Sequence, residues 1–178
     1  MENQDELGEL IARFNRAATV PTRNPKPSAE QVAAAEDALG CRLPPSYVRF
    51  LRSCHAGTLR FWSTYWVGSE PRRSGQSQNI VRENEKLRAP SGPWPGWPRF
   101  LVAFQTDSGG NLNCFDSRGA TDDGEWPIVF WDHELPAEDN VADLDDQAHS
   151  HRTFAAWLEG ELENAEDRLE DDLDAEDR

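Results

Sequence analysis

Residues 100–116 read FLVAFQTDSGGNLNCFD, and the fold turns on how the Asp-Ser-Gly-Gly at its centre is read. A phosphate loop needs such glycines to open a helix, so that backbone N–H groups and the helix dipole face the anion. Here Phe100–Gln105 is rich in branched and aromatic residues, and Asn111–Phe115 nearly alternates apolar with polar. The chain therefore passes from strand to strand. The glycines are expected at positive-φ positions of a turn in which Asp107 and Asn111 accept hydrogen bonds. Ser108 lacks the G-x-S-x-G elbow of an activated serine, and Cys114 has the alternation of a core residue. Neither is read as a nucleophile.

Working outward, the run Trp126–Trp131 supplies a further strand after the polar stretch 117–125, and 58–63 (TLRFWS) alternates as a strand should. Leu7, Leu10, Ile11 and Phe14 form a helical stripe over 5–17. Ser28 and Gln31 have capping-box spacing before a helix that Gly40 ends, and Pro44-Pro45-Ser46 opens another carrying Tyr47, Phe50, Leu51 and Cys54. A short helix is expected over 79–88 and a last one from near Ser150, carrying Phe154, Trp157 and Leu158. The prolines of 19–27 and 89–99 exclude helix there, 69–79 reads as a loop, and 133–149 reads as acidic and irregular. Trp94 and Trp97 are too costly to leave in water, so PWPGWP is expected to fold over one end of the sheet rather than serve as a proline-rich ligand.

At 178 residues the chain suits one domain. Its net charge of −15 argues against nucleic acid and anionic membrane as partners and favours a basic one. The segment 161–178 alone holds ten acids against two arginines. Leu162, Ala165, Leu169 and Leu173 continue a helical stripe there, but like charges at i, i+4 spacing oppose it. Cys41, Cys54 and Cys114 form no C-x-x-C pair and are expected as reduced, buried thiols. The amino-terminal MENQDELGELIARFNR carries acids where a signal peptide has basic and then apolar residues, so the expected address is the cytoplasm.

Residues 39–51, LGCRLPPSYVRFL, resemble the LG-x-x-LP-x-x-Y-x-x-FL signature of the SUKH superfamily, which includes bacterial immunity proteins and fungal cell-wall-assembly regulators. The Trp/Pro-rich lead-in at 94–98, the acidic glycine turn at 107–110 with Asn111–Asp116, and the closing FAAWL at 154–158 are similar to later pieces of that pattern. Cys54-His55-Ala56-Gly57 stands where the family usually has Asn-Gly-Gly. The resemblance implies a single α+β domain over 28–160, with a mixed or antiparallel sheet of about five strands flanked by helices. Residues 1–27 would precede it as a helix and proline-rich linker, and 161–178 would follow as an acidic extension. It implies a protein without catalytic groups or cofactor that neutralises a cognate toxin by stoichiometric binding. The charge points to a basic toxin, a nuclease first.

The expected contact surface is the acidic group Asp122, Asp123, Glu125, Asp132, Glu134, Glu138 and Asp139, with Trp126 or Trp131 as aromatic anchor and the tail assisting. Two rivals are a regulatory scaffold binding endogenous proteins and a small metal enzyme built on His133, His149, His151 and Asp107. The histidines lack an H-E-x-x-H or Cys/His spacing, so no metal site is assigned.

Overall fold

The computed structural model describes residues 4–17, 25–54, 58–59, 62–68, 78–146 and 150–176. Its side chains are described from Glu6, with gaps at 58–63 and 145–149, and through Asp167. The expectations placed on 18–24, on the loop at 69–77, on the stop at 55–57 and on His149 lie outside these residues.

Among the described residues, six α-helices pack around one five-stranded sheet. The helices are α1 (Gln4–Ala17), α2 (Ala29–Leu39), α3 (Pro45–Ser53), α4 (Ile80–Arg88), α5 (Ala137–Asp146) and α6 (Phe154–Glu176). The strands β1 (Thr58–Leu59), β2 (Trp62–Thr64), β3 (Leu101–Thr106), β4 (Leu112–Asp116) and β5 (Ile128–Trp131) lie in sequence order, every pair antiparallel. The last three carry most of the sheet. The expected strand at 58–63 is instead two short strands, because Leu59 pairs with Trp62 and the run doubles back on itself.

The turn at 107–111 forms, but only Gly110 of its two glycines takes a positive φ, and the Asn111 side chain donates to Asp107. Asp107 Oδ1 accepts from the backbone N–H of Gly109, Gly110 and Asn111 at 2.8–2.9 Å, and Gly110 sits at φ 101°. The helix signals hold as well. Ser28 and Gln31 form both halves of the capping box, and Gly40 ends α2 at φ 77°.

Residues paired across strands share a face. One face carries Val102, Phe104, Phe115 and Ile128, and its two phenylalanines meet Tyr47 of α3 and Phe154 of α6, with Trp157 against Phe104. Phe104 and Phe115 stack with centroids 4.1 Å apart. Phe14 of α1 closes on Phe50 at 4.9 Å, and Leu162 and Ala165 of α6 are buried. The amino-terminal helix and the start of the acidic extension therefore belong to the core. The other face carries Leu101, Ala103, Cys114, Val129 and Trp131, and Trp94 and Trp97 pack on Trp131 at 6.0 and 4.5 Å.

α4 lies along the part of β3 that β2 leaves unpaired. Asn84 donates to Ala103 O and accepts from Ala103 N–H, and one turn on Arg88 donates to Leu101 O. Two side chains thus replace the missing strand, since a buried backbone group without a partner is costly.

α5 corrects the reading of 133–149 as irregular. Its charges hid it, but Pro136 suits a helix start, and Glu138 and Asp139 in the first turn complement the helix dipole. Leu144 is buried and Val141 packs beside the core, giving the helix an inner side.

Candidate functional site

The nine residues singled out from the sequence fall into three groups. Trp126, Trp131 and Glu125 are buried, at 6%, 0% and 7% exposure, and offer no surface. Trp131 is held in the cluster with Trp94 and Trp97, and Trp126 packs on Phe115. Glu125 caps α3: its carboxylate accepts from Ser46 N–H at 2.8 Å and Ser46 Oγ at 2.6 Å. Pro44 precedes that helix and has no side chain able to cap it, so a carboxylate 79 residues away supplies the missing acceptor.

Asp122 and Asp123 are exposed in the β4–β5 connection, where Gly124 packs over Pro45. Asp132, Glu134, Glu138 and Asp139 lie beyond the opposite end of β5. Six residues, four of them the strand β5, lie between Glu125 and Asp132 and span on the order of 20 Å. The acids that are close in sequence form two clusters, one at each end of the sheet.

The second cluster is the better built. Asn140, buried in the first turns of α5, accepts from Asp132 N–H and donates to Asp132 O, both at 2.9 Å. Asp132 Oδ1 accepts from Glu134 N–H at 2.9 Å. Asn111 of the β3–β4 turn accepts from His133 N–H and lies 2.8 Å from His133 Nδ1, while the His133 ring rests against Gly110. The loop 132–140 is thereby tied to both the strand end and the hairpin. Among the described residues, no lysine or arginine pairs with Asp132, Glu134, Glu138 or Asp139. By contrast Asp116 is buried in a bidentate pair with Arg118, and Glu36 holds Arg42 and the N–H of Leu43.

One residue beside this loop escaped the sequence reading. Phe130 is 48% exposed, the sole large hydrophobic side chain so exposed among the described residues. It pairs with Asn113, on the face that α3 and α6 cover farther along at Phe115 and Ile128. Its run of six apolar residues shows no alternation, so nothing local distinguished it from Trp131.

Asp107 is partly buried, which pulls its pKa up. The hydrogen bonds from Asn111, Gly110 and Gly109 outweigh that and hold it below the ordinary carboxylate range. Burial pushes the Cys54 thiol up to about 12 and Cys114 higher still, so neither is a ready thiolate. His151 is half-buried, which lowers its pKa, and its backbone O accepts from Ile128 N–H at the outer edge of β5. No group of three or more His, Cys, Asp or Glu side chains among the described residues could hold a metal ion. No helix among them is long and apolar enough to cross a membrane.

Comparison with known proteins adds two likenesses. The model of the SMI1 / KNR4 family (SUKH-1) matches residues 26–160. A solved structure of a protein from Pseudomonas syringae pv. tomato is similar at 19% identity, over 68% of this chain and 81% of that one, with a TM-score of 0.47. No curated protein matches.

Proposed function

Because the chain belongs to the SMI1 / KNR4 family (SUKH-1), we propose that it is an immunity protein that binds and neutralises a basic toxin in the cytoplasm. The domain acts as a rigid carrier of surface and performs no bond-making of its own. The observation that carries the reading is the set of carboxylates at Asp132, Glu134, Glu138 and Asp139, borne on a segment whose backbone is tied down by Asn140 and Asp132, and without an internal lysine or arginine partner among the described residues. Like charges held together repel one another, and a cationic partner relieves that repulsion. Such a surface also speeds encounter with a basic protein and competes for the lysines and arginines with which a nuclease grips phosphate.

The test is co-expression with the product of the neighbouring gene, scored by rescue of growth and by co-purification at several salt concentrations. Immunity requires rescue, a stoichiometric complex and an on-rate that falls with salt while the off-rate changes less. Capture of host proteins with no rescue would favour a regulatory scaffold instead.

A further inference from the structure

We propose that the sheet end bearing Phe130 is the docking surface for the cationic partner, with an arginine of that partner laid over the Phe130 ring. The proposal rests on the binding role above and adds the place and the chemistry of contact. Across β3, β4 and β5 the row Gln105–Asn113–Phe130 crosses one face of the sheet. Burial falls along that row: Gln105 is 2% exposed, Asn113 is half-buried and hydrogen bonded to Gln105 at 2.6 Å, and Phe130 is 48% exposed. The helical layer that seals Phe115 and Ile128 stops short of Phe130. An aromatic ring left half in water at the margin of a well-packed sheet is unfavourable in the free protein and available to a partner.

The chemistry of the occupant follows from the acids that succeed the ring along the chain. Asp132 and Glu134 follow it by two and four positions, and Asn140 holds Glu138 and Asp139, in the first turn of α5, beside the strand end. A neutral apolar partner would bury those carboxylates without compensation, and an acidic one would be repelled. A guanidinium satisfies both parts: its plane stacks on the aromatic face while its N–H groups reach the flanking carboxylates. A cation stacks on such a ring in this same molecule, where Arg118 lies 3.9 Å from the Phe100 centroid while paired with Asp116. At Phe130 the ring and the acids are present and the arginine is what the partner brings. Because Asn111 and Asn140 already order the loop, little conformational freedom remains to be lost on binding.

The full-length 15N-labelled protein is titrated with a blocked peptide alternating arginine and leucine, and with the same peptide carrying lysine in place of arginine. The expected result is shifts centred on Asn113, Phe130, Asp132 and Glu134, with weaker binding of the lysine peptide. Phe130→Ala should weaken the arginine peptide by about tenfold, and Glu134→Lys by a similar factor, while Asp122→Lys at the far end of the sheet changes nothing. Because Phe130 is half exposed, the far-UV spectrum and thermal midpoint of the variant should match the parent, which separates lost contact from lost fold. Shifts centred elsewhere, or a Phe130→Ala protein that binds as the parent does, would overturn the assignment. Should the parent and Phe130→Ala capture and neutralise a toxin equally well, this surface is wrong and the immunity reading stands. Should the peptide bind at Phe130 while no toxin is neutralised, the reverse holds.

Discussion

Glu125 and Asp107 are both acids beside glycines, yet the fold gives them structural tasks. Glu125 supplies the α3 cap, so Glu125→Ala leaves Ser46 N–H without its acceptor and removes a charge from the positive end of the helix dipole. The expected loss is about 1–3 kcal/mol in a urea denaturation, with Glu125→Gln losing less. Asp107 has a folded-state pKa below its ordinary value. Its contribution is therefore fully present above the unfolded pKa of about 4 and is lost as pH falls through the folded value. Asp107→Asn should lower stability at neutral pH and flatten its dependence below about pH 4, read from unfolding midpoints across that range. The turn was legible from its residues, because an Asx turn is closed by neighbours within four positions. The task of Glu125 was not, since Ser46 is remote along the chain.

At the level of elements, α4 substitutes for a strand. Asn84→Ala removes the donor and the acceptor that pair both backbone groups of Ala103. Each group left buried and unpaired costs about 1–3 kcal/mol, and hydrogen exchange should speed at Ala103 before it does in β4. α6 poses the opposite question, how far an acidic helix stays attached. Leu162 is fully buried and Ala165 nearly so, and Arg13 of α1 reaches Glu166 at 2.7 Å. Leu162→Ala should therefore cost about 2–5 kcal/mol. Deleting 161–178 should lower the midpoint of thermal unfolding clearly, whereas a purely appended tail would leave it unchanged. α2, α3 and the start of α6 were readable from caps and stripes. α5 was missed because its inner side rests on Ala137, Val141 and Leu144 amid five acids, and its first turn is held by the Asn140 contacts to Asp132.

For the whole molecule, the charge of −15 is distributed, and the distribution matters more than the sum. One acidic cluster caps a helix and fills a turn, while the other stands ready at the far end of β5. Raising the salt should slow association with a basic partner steeply. Neutralising Glu138 and Asp139 together should mimic part of that effect on the on-rate, measured by stopped flow, and cost about 1 kcal/mol of stability through the lost dipole interaction. An on-rate indifferent to both changes would remove electrostatic steering from the account.

Periodicity, caps, turn residues and net charge act over a few positions or over the chain as a whole, and for that reason the α+β class, the hairpins and most helices could be deduced from the order of amino acids. Which side of β5 is roofed depends on α3, α6 and the Trp94–Trp97 segment arriving from distant parts of the chain. Only their packing exposed Phe130 in place of Trp126 and Trp131 and set the two groups of acids apart. Burial is a property of what lands on a side chain, and no neighbour along the chain records that.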